Sequence, residues 1–168
     1  HRLRRLLKND KAVKLEKGMV FLNERLCWAD TWYLQSIFKH IHALFQSGRD
    51  FEEIESRVLF LMQKALDLHS GGFLAEDTQE KPWADPFRER MRTRLTDMCL
   101  RTGKALENNK KWDEALFLYR QAREIDPLKE VLYQRLLSAY AHLGYKAEAV
   151  REYRRCRRTL SEHLNCEP

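Results

Sequence analysis

The chain has 168 residues, of which 43% are hydrophobic and 33% are charged, a composition that suits one helical domain with a small appendage. Its formal net charge is +6, and the first 25 residues carry eight Lys or Arg against three Asp or Glu. The four cysteines form no CxxC pair, which excludes a disulfide framework and predicts a cytoplasmic setting. No apolar run reaches the ~18 residues of a membrane span, which excludes a membrane protein.

The N-terminal segment predicts the end of a helix followed by a β-hairpin. Leucines and basic residues form separate stripes over residues 1–8, as in an amphipathic helix. Residues 12–22 alternate around a turn at Lys17-Gly18, which would place Val13 opposite Leu22 and Leu15 opposite Val20. A helix followed by a hairpin is the ending of a winged helix-turn-helix, so we expect residues 1–28 to be its C-terminal remnant and the chain, which begins at His1, to be part of a longer protein.

The basic side chains of this segment are candidate DNA-phosphate contacts in an intact winged helix. Those on the helix are Arg2, Arg4, Arg5 and Lys8, and those on the wing are Lys14 and Lys17. A solvated basic terminus without a ligand is the alternative interpretation. The hairpin would also need a covering surface, either a preceding domain or the helices that follow, because an isolated hairpin is barely stable.

From Asp30 onward the pattern predicts helices throughout. Asp30 is the expected cap of a helix reaching about Gln46, and Asp50 with Glu53 forms an expected capping box for the next helix. After an irregular connection over residues 70–84, Asp85-Pro86 and Asp126-Pro127 each place a capping carboxylate before proline. Further breaks are expected around residues 108–109 and at Gly144, so residues 85–168 should form two helical hairpins.

A repeat connects these two hairpins. Ala115, Tyr119 and Ala122 recur 34 positions later as Ala149, Tyr153 and Cys156. Small residues beside an aromatic at this period are typical of tetratricopeptide (TPR) helix pairs, in which the alanines permit close approach and the tyrosines fill the space between repeats. The fold class is therefore mainly α, with TPR-like antiparallel hairpins in an α-α superhelix over residues 29–168.

Several stretches resemble the bacterial transcriptional activator domain (BTAD), a TPR-like module of antibiotic-regulatory and large maltose-regulator-like proteins. They are GGFLAED at 71–77, PWADPFRERMR at 82–92, WDEALFLYRQA at 112–122, and the DPL, LGYKAEAV, YRRCRRTL and CEP motifs between 126 and 168. Residues 1–30 resemble the junction between an OmpR-type winged helix and this domain. The resemblance implies a DNA-binding transcription activator whose helical domain mediates self-association or contacts RNA polymerase.

Four arginines on the predicted last helix fall at positions i, i+3, i+4 and i+7 and so share one face: Arg151, Arg154, Arg155 and Arg158. A solvated face paired with nearby glutamates is the commoner explanation, and a docking surface for an acidic partner or a DNA backbone is the alternative. The four tryptophans, which stand beside helix starts, are interpreted as packing residues.

No pattern in the sequence indicates catalysis or a cofactor. His40 and His42 are two positions apart on a helix and make a poor metal pair, and neither a nucleophile with its base nor a phosphate-binding glycine loop is present. We therefore expect no enzyme activity, metal, cofactor or small-molecule substrate. The main hypothesis is part of a transcription regulator, and the alternative is a TPR-type scaffold that binds a peptide or another domain without contacting DNA.

Overall fold

A computed structural model describes residues 5–69 and 84–164. A short 3-10 turn, Asp10–Ala12, precedes strands β1 (Val13–Glu16) and β2 (Met19–Leu22). Six helices follow: α1 (Asp30–Gln46), α2 (Phe51–His69), α3 (Asp85–Asn108), α4 (Trp112–Ile125), α5 (Glu130–Leu143) and α6 (Lys146–Leu164). The predicted connection over residues 70–84 lies, except for Ala84, outside the described residues.

The predicted hairpin is confirmed in both its turn and its register. Val13 pairs with Leu22 and Leu15 pairs with Val20 in the antiparallel ladder. Lys17 (φ 50°) and Gly18 (φ 79°) both have positive φ, which matches the right-handed twist of the strands in a two-residue turn. Local alternation and turn chemistry therefore determine this element.

Helices α1 to α6 form three antiparallel hairpins, and each helix packs against the next one along the chain. A single large core of aliphatic and aromatic side chains runs through them, with Ile41, Val58, Leu95 and Leu136 almost fully buried. A small satellite cluster of Tyr133, Cys156 and Leu160 packs α6 against α5. The mainly α architecture with a preceding hairpin is as predicted.

The first repeat unit depends on a glycine within α3. A Cβ on Gly103 would lie 2.4 Å from Cε1 of Tyr119, so the ring of α4 occupies the space that a larger side chain would need. The Tyr119 hydroxyl donates a hydrogen bond to Glu107 (2.8 Å), whose other carboxylate oxygen lies 3.4 Å from Arg135 of α5. Burial and the Glu107 contact raise the pKa of Tyr119, so the hydroxyl keeps its proton.

Tyr153 does not repeat the role of Tyr119, so the expectation that both tyrosines fill the space between repeats was wrong for Tyr153. Tyr119 is fully buried, whereas Tyr153 is 50% exposed on α6. The 34-residue period pairs Gly103 with Leu137, so a branched side chain stands where the first repeat has none. In addition, α6 is the last described helix, and no further described repeat covers its outer face.

Two predicted caps lie one position further into their helices than expected. Asp30 and Asp85 each lie inside the first turn rather than at the N-cap, which is Ala29 in α1 and Ala84 in α3. Asp30 instead accepts a hydrogen bond from the Thr31 amide (2.7 Å), and Asp85 binds Arg88 (2.8 Å). The first-turn location still places both carboxylates where the helix dipole favours negative charge.

The Asp126-Pro127 prediction was wrong by more than one position. Asp126 is the C-cap of α4, because its amide donates to Ala122 O (2.9 Å), and α5 begins only at Glu130. The Pro127 carbonyl accepts a hydrogen bond from the Tyr133 hydroxyl (2.8 Å), which holds the connection against α5. In the predicted capping box, the Glu53 amide donates to the backbone carbonyl of Asp50 (3.1 Å), whereas a capping box uses the side chain of the capping residue.

Candidate macromolecule-binding surfaces

The N-terminal cations that the structure describes are all exposed. Arg5 and Lys8 close the last turn of the first segment, where the Lys8 amide donates to Arg5 O (3.3 Å), and Lys14 and Lys17 lie on the hairpin. Arg2 and Arg4 are outside the described residues. The structure therefore leaves four of the six predicted phosphate contacts accessible to a ligand.

The hairpin is fixed at its base and open elsewhere. Asn23 closes the base, since its amide donates to Ala12 O (2.8 Å) and its side-chain amide donates to Lys11 O (3.2 Å). In contrast, apolar side chains of the hairpin and its flanks are 42–75% exposed: Leu6, Leu7, Leu15, Met19, Val20, Phe21, Leu22, Leu26 and Trp28. The described helices do not provide the covering surface that the hairpin was expected to need.

The arginine face on α6 exists as predicted, and part of it is neutralised. Arg151 pairs with Glu148 (2.7 Å), and Arg155 reaches Glu124 of α4 (3.2 Å). Among the described residues, Arg154 and Arg158 have no ion-pair partner. All four arginines line an open polar depression of about 450 Å³ together with Thr159 and Glu162.

A buried ion pair holds this face against α4. Arg123 binds Glu152 of α6 (2.5 Å), and the two side chains are 9% and 7% exposed. Arg123 also contacts Glu124 (2.5 Å). Burial acts to raise the pKa of Glu124, but the Arg123 hydrogen bond and the charges of Arg123 and Arg155 outweigh it, so the pKa is lowered. A buried ion pair thus connects the helix that carries the arginine face to α4.

Sequence reasoning missed a second basic surface, a groove of about 430 Å³ between α1 and α3. It is lined by Phe38, Lys39, His42, Arg94, Asp97, Met98 and Arg101, which we call the α1–α3 groove. The only available signal was the spacing of Arg94 and Arg101, seven positions apart on one helix. Nothing local in the sequence links these arginines to α1, which lies more than 40 positions earlier.

Aromatic rings position both arginines of the α1–α3 groove. The Arg94 guanidinium lies 5.0 Å from the Phe38 ring centroid, and the Arg101 guanidinium lies 4.4 Å from that of Phe45. Arg101 also donates to Nδ1 of His42 (3.2 Å), which requires that nitrogen to be the unprotonated acceptor of the imidazole. These contacts leave the guanidinium groups ordered before any ligand arrives.

The side chains that could bind a metal or react chemically, such as His40, His42 and Cys99, have structural roles. His40 contacts Ser36 (3.4 Å) while His42 contacts Arg101, so the two histidines face different partners. Burial raises the pKa of Cys99 to about 12, which keeps this thiol protonated. Within residues 5–69 and 84–164, no group of three or more His, Cys, Asp or Glu could hold a metal ion. No described helix is both long and apolar enough to cross a bilayer.

The tryptophan interpretation holds only in part. Trp112 stacks on His142 with ring centroids 3.9 Å apart, connecting the start of α4 to the end of α5. Trp32 is half-buried, but Trp28 is 71% exposed and contacts Tyr33 with ring centroids 6.4 Å apart. Trp83 lies outside the described residues.

Stacked antiparallel helix pairs with a 34-residue echo define a TPR-like helical repeat protein. Comparison with known families matches residues 41–168 to the bacterial transcriptional activator domain. Because the match covers more than half of the chain, the chain belongs to this family and has a function of the bacterial transcriptional activator type. No curated protein matches the chain.

Proposed function

We propose that this chain is the part of a bacterial DNA-binding transcription regulator that joins a winged helix to its protein-binding domain. Residues 1–28 would be the end of the winged helix, and residues 29–168 would be the TPR-like activator domain, acting in the cytoplasm. The observation that carries the proposal is the family match beside an exposed basic hairpin. A cofactor, a metal or a small-molecule substrate has no part in it.

In this proposal the basic side chains of the N-terminal segment contact DNA phosphates. Arg2, Arg4, Arg5 and Lys8 would lie along the backbone beside the major groove, and Lys14 and Lys17 would extend the contact through the wing. Such contacts position a protein on DNA without reading its sequence. The exposed apolar side chains of the hairpin would be covered by the rest of the winged helix.

The helical domain would provide the protein contacts through the arginine face of α6. Arg154 and Arg158 have no ion-pair partner among the described residues, and Arg151 and Arg155 retain donors beyond their glutamate contacts. An acidic surface of RNA polymerase or of a second copy of the chain could pair with this face. Binding would need no change in the buried Arg123–Glu152 pair beneath it.

A mobility-shift titration tests the DNA contacts. The 168-residue chain should bind duplex DNA weakly and with a steep salt dependence, and a longer chain with a complete winged helix should bind its operator tightly. Lys14→Gln with Lys17→Gln should flatten the salt slope of the longer chain by about two units. The matched control is Lys64→Gln with Lys146→Gln, which removes two exposed lysines from α2 and α6. The absence of a shift with either chain would disprove the DNA contacts.

The α6 face is tested by sedimentation and by binding to purified RNA polymerase. Arg154→Glu with Arg158→Glu should weaken whichever association the domain makes, since both residues are exposed. If the association is unchanged, the face is merely solvated. The scaffold alternative, in which the helices bind a peptide without DNA, would be favoured by a peptide partner together with operator-independent behaviour.

A further inference from the structure

The α1–α3 groove has the charge of a site for carboxylates. Three of its lining side chains are cations, namely Lys39, Arg94 and Arg101, and its single carboxylate, Asp97, is already bound by Lys129 (2.5 Å). Lys39 and Arg94 have no ion-pair partner in the described part of the chain. The described residues therefore leave the groove with an excess of positive charge.

The two arginines are ordered in a way that favours binding. Each guanidinium lies over a phenylalanine ring of α1, and Arg101 is fixed further by His42. Because the side chains are already positioned, a ligand does not have to order them on binding. The five donors of each guanidinium remain mostly available, and their planar arrangement matches the two oxygens of a carboxylate.

The spacing of the arginines indicates the length of the ligand. Arg94 and Arg101 are seven positions apart on α3, a rise of about 10 Å. Two carboxylates at positions i and i+7 of a helix have the same separation on one face. Met98 lies between the two arginines and provides an adaptable apolar contact for the remainder of the segment.

We infer that the α1–α3 groove binds an acidic helical segment of a partner protein, whose carboxylates at i and i+7 pair with Arg94 and Arg101. The lining favours a peptide over a nucleic acid, because its one phenylalanine ring, Phe38, is 1% exposed and lies beneath the Arg94 guanidinium, so it is not free for a base to stack on.

This inference rests on the proposed role of the helical domain in protein contacts, but it does not depend on the α6 face or on DNA. The two basic surfaces lie on different helix pairs, so each can be changed separately. If the unchanged chain does not bind the acidic peptide but gives the expected mobility shift, only the groove is refuted; if it binds the peptide but gives no mobility shift, only the DNA contacts are refuted.

Fluorescence anisotropy with a labelled helical peptide tests the groove. The probe is an alanine-rich peptide with Glu at positions i, i+3 and i+7, and its control carries Gln at the same positions. The Glu peptide should bind the whole chain about tenfold more tightly than the Gln peptide, since a charge-assisted hydrogen bond is roughly twice as strong as a neutral one. Arg94→Gln with Arg101→Gln should abolish this difference, and Lys39→Gln, which removes no ion pair among the described residues, should reduce it.

The matched control is Lys64→Gln with Lys146→Gln, which removes the same charge from exposed positions on α2 and α6 outside both proposed surfaces and should leave peptide binding unchanged. Circular dichroism of each variant checks that the helices persist. Equal binding of the Glu and Gln peptides, or equal losses in the groove variant and the lysine control, would overturn the inference. Binding of a short single-stranded DNA with the same dependence on Arg94 and Arg101, at higher affinity than the Glu peptide, would assign the groove to nucleic acid instead.

Discussion

Replacing Gly103 by alanine tests the packing of the first repeat, because two effects of opposite sign compete. Alanine in the interior of a helix is favoured over glycine by about 1 kcal/mol. The new Cβ, however, would lie 2.4 Å from Cε1 and 2.8 Å from the hydroxyl oxygen of Tyr119, a fully buried ring. Either the ring or α3 must move, so steric overlap opposes the gain in helix propensity.

The steric effect should dominate. Overpacking of a filled core costs about 1–3 kcal/mol. A displaced ring would also weaken the 2.8 Å hydrogen bond to Glu107, and bonds to charged groups contribute about 1.5–3 kcal/mol. With the propensity gain subtracted, we expect Gly103→Ala to lower the free energy of unfolding by about 2 kcal/mol. For a chain of 168 residues this corresponds to a melting temperature lower by about 4–8 °C.

Thermal unfolding followed by circular dichroism measures the effect, and a double-mutant cycle separates its causes. Tyr119→Leu removes the ring and its hydroxyl, so adding Gly103→Ala in that background should be neutral or stabilising by up to about 1 kcal/mol. A rise in melting temperature on Gly103→Ala in the otherwise unchanged chain would refute the reasoning, because only propensity would then be acting.

Three further predictions concern buried charge, pH and the repeat. Arg123→Met leaves Glu152 as an uncompensated buried carboxylate and should lower the free energy of unfolding in urea by about 3–5 kcal/mol. The double variant with Glu152→Leu should lose less stability than the sum of the two single variants. Burial lowers the pKa of His69, so its contribution to stability is complete above the ordinary value of 6.5 and is lost as pH falls through the lowered pKa. His69→Asn should therefore make the urea midpoint less sensitive to acidification in that window. An unchanged dependence of the midpoint on pH would contradict this. Ala115 is fully buried and Ala149 is only half-buried, so Ala115→Leu should cost about 1–3 kcal/mol by thermal unfolding and Ala149→Leu less; equal effects would mean that the two repeats are packed alike.

Local signals predicted the elements well and their boundaries less well. The alternation of residues 12–22 and the Lys17-Gly18 turn were sufficient for the strand register, because side-chain period and turn type together fix it. Asp126-Pro127 resembled a helix start, but the same residues also suit a helix end, since proline cannot continue the preceding helix. Local chemistry alone does not distinguish the two.

The 34-residue repeat itself contained a signal for the exposure of Tyr153. Extending the comparison to the facing helix pairs Gly103 with Leu137, which predicts different space for the two tyrosines. The α1–α3 groove had no comparable signal. Its cations come from helices separated by more than 40 positions, and the phenylalanines that position the arginines were interpretable only as core residues.

The amino-acid sequence alone determined the hairpin, the succession of helices and the repeat, because side-chain periodicity, glycine turns and proline breaks act over a few neighbouring residues. The tertiary structure decided which aromatic ring is buried, which arginine is neutralised and which cations converge on one groove. These outcomes depend on competition for the same space and charge among helices distant in sequence, and that competition begins only when the helices pack.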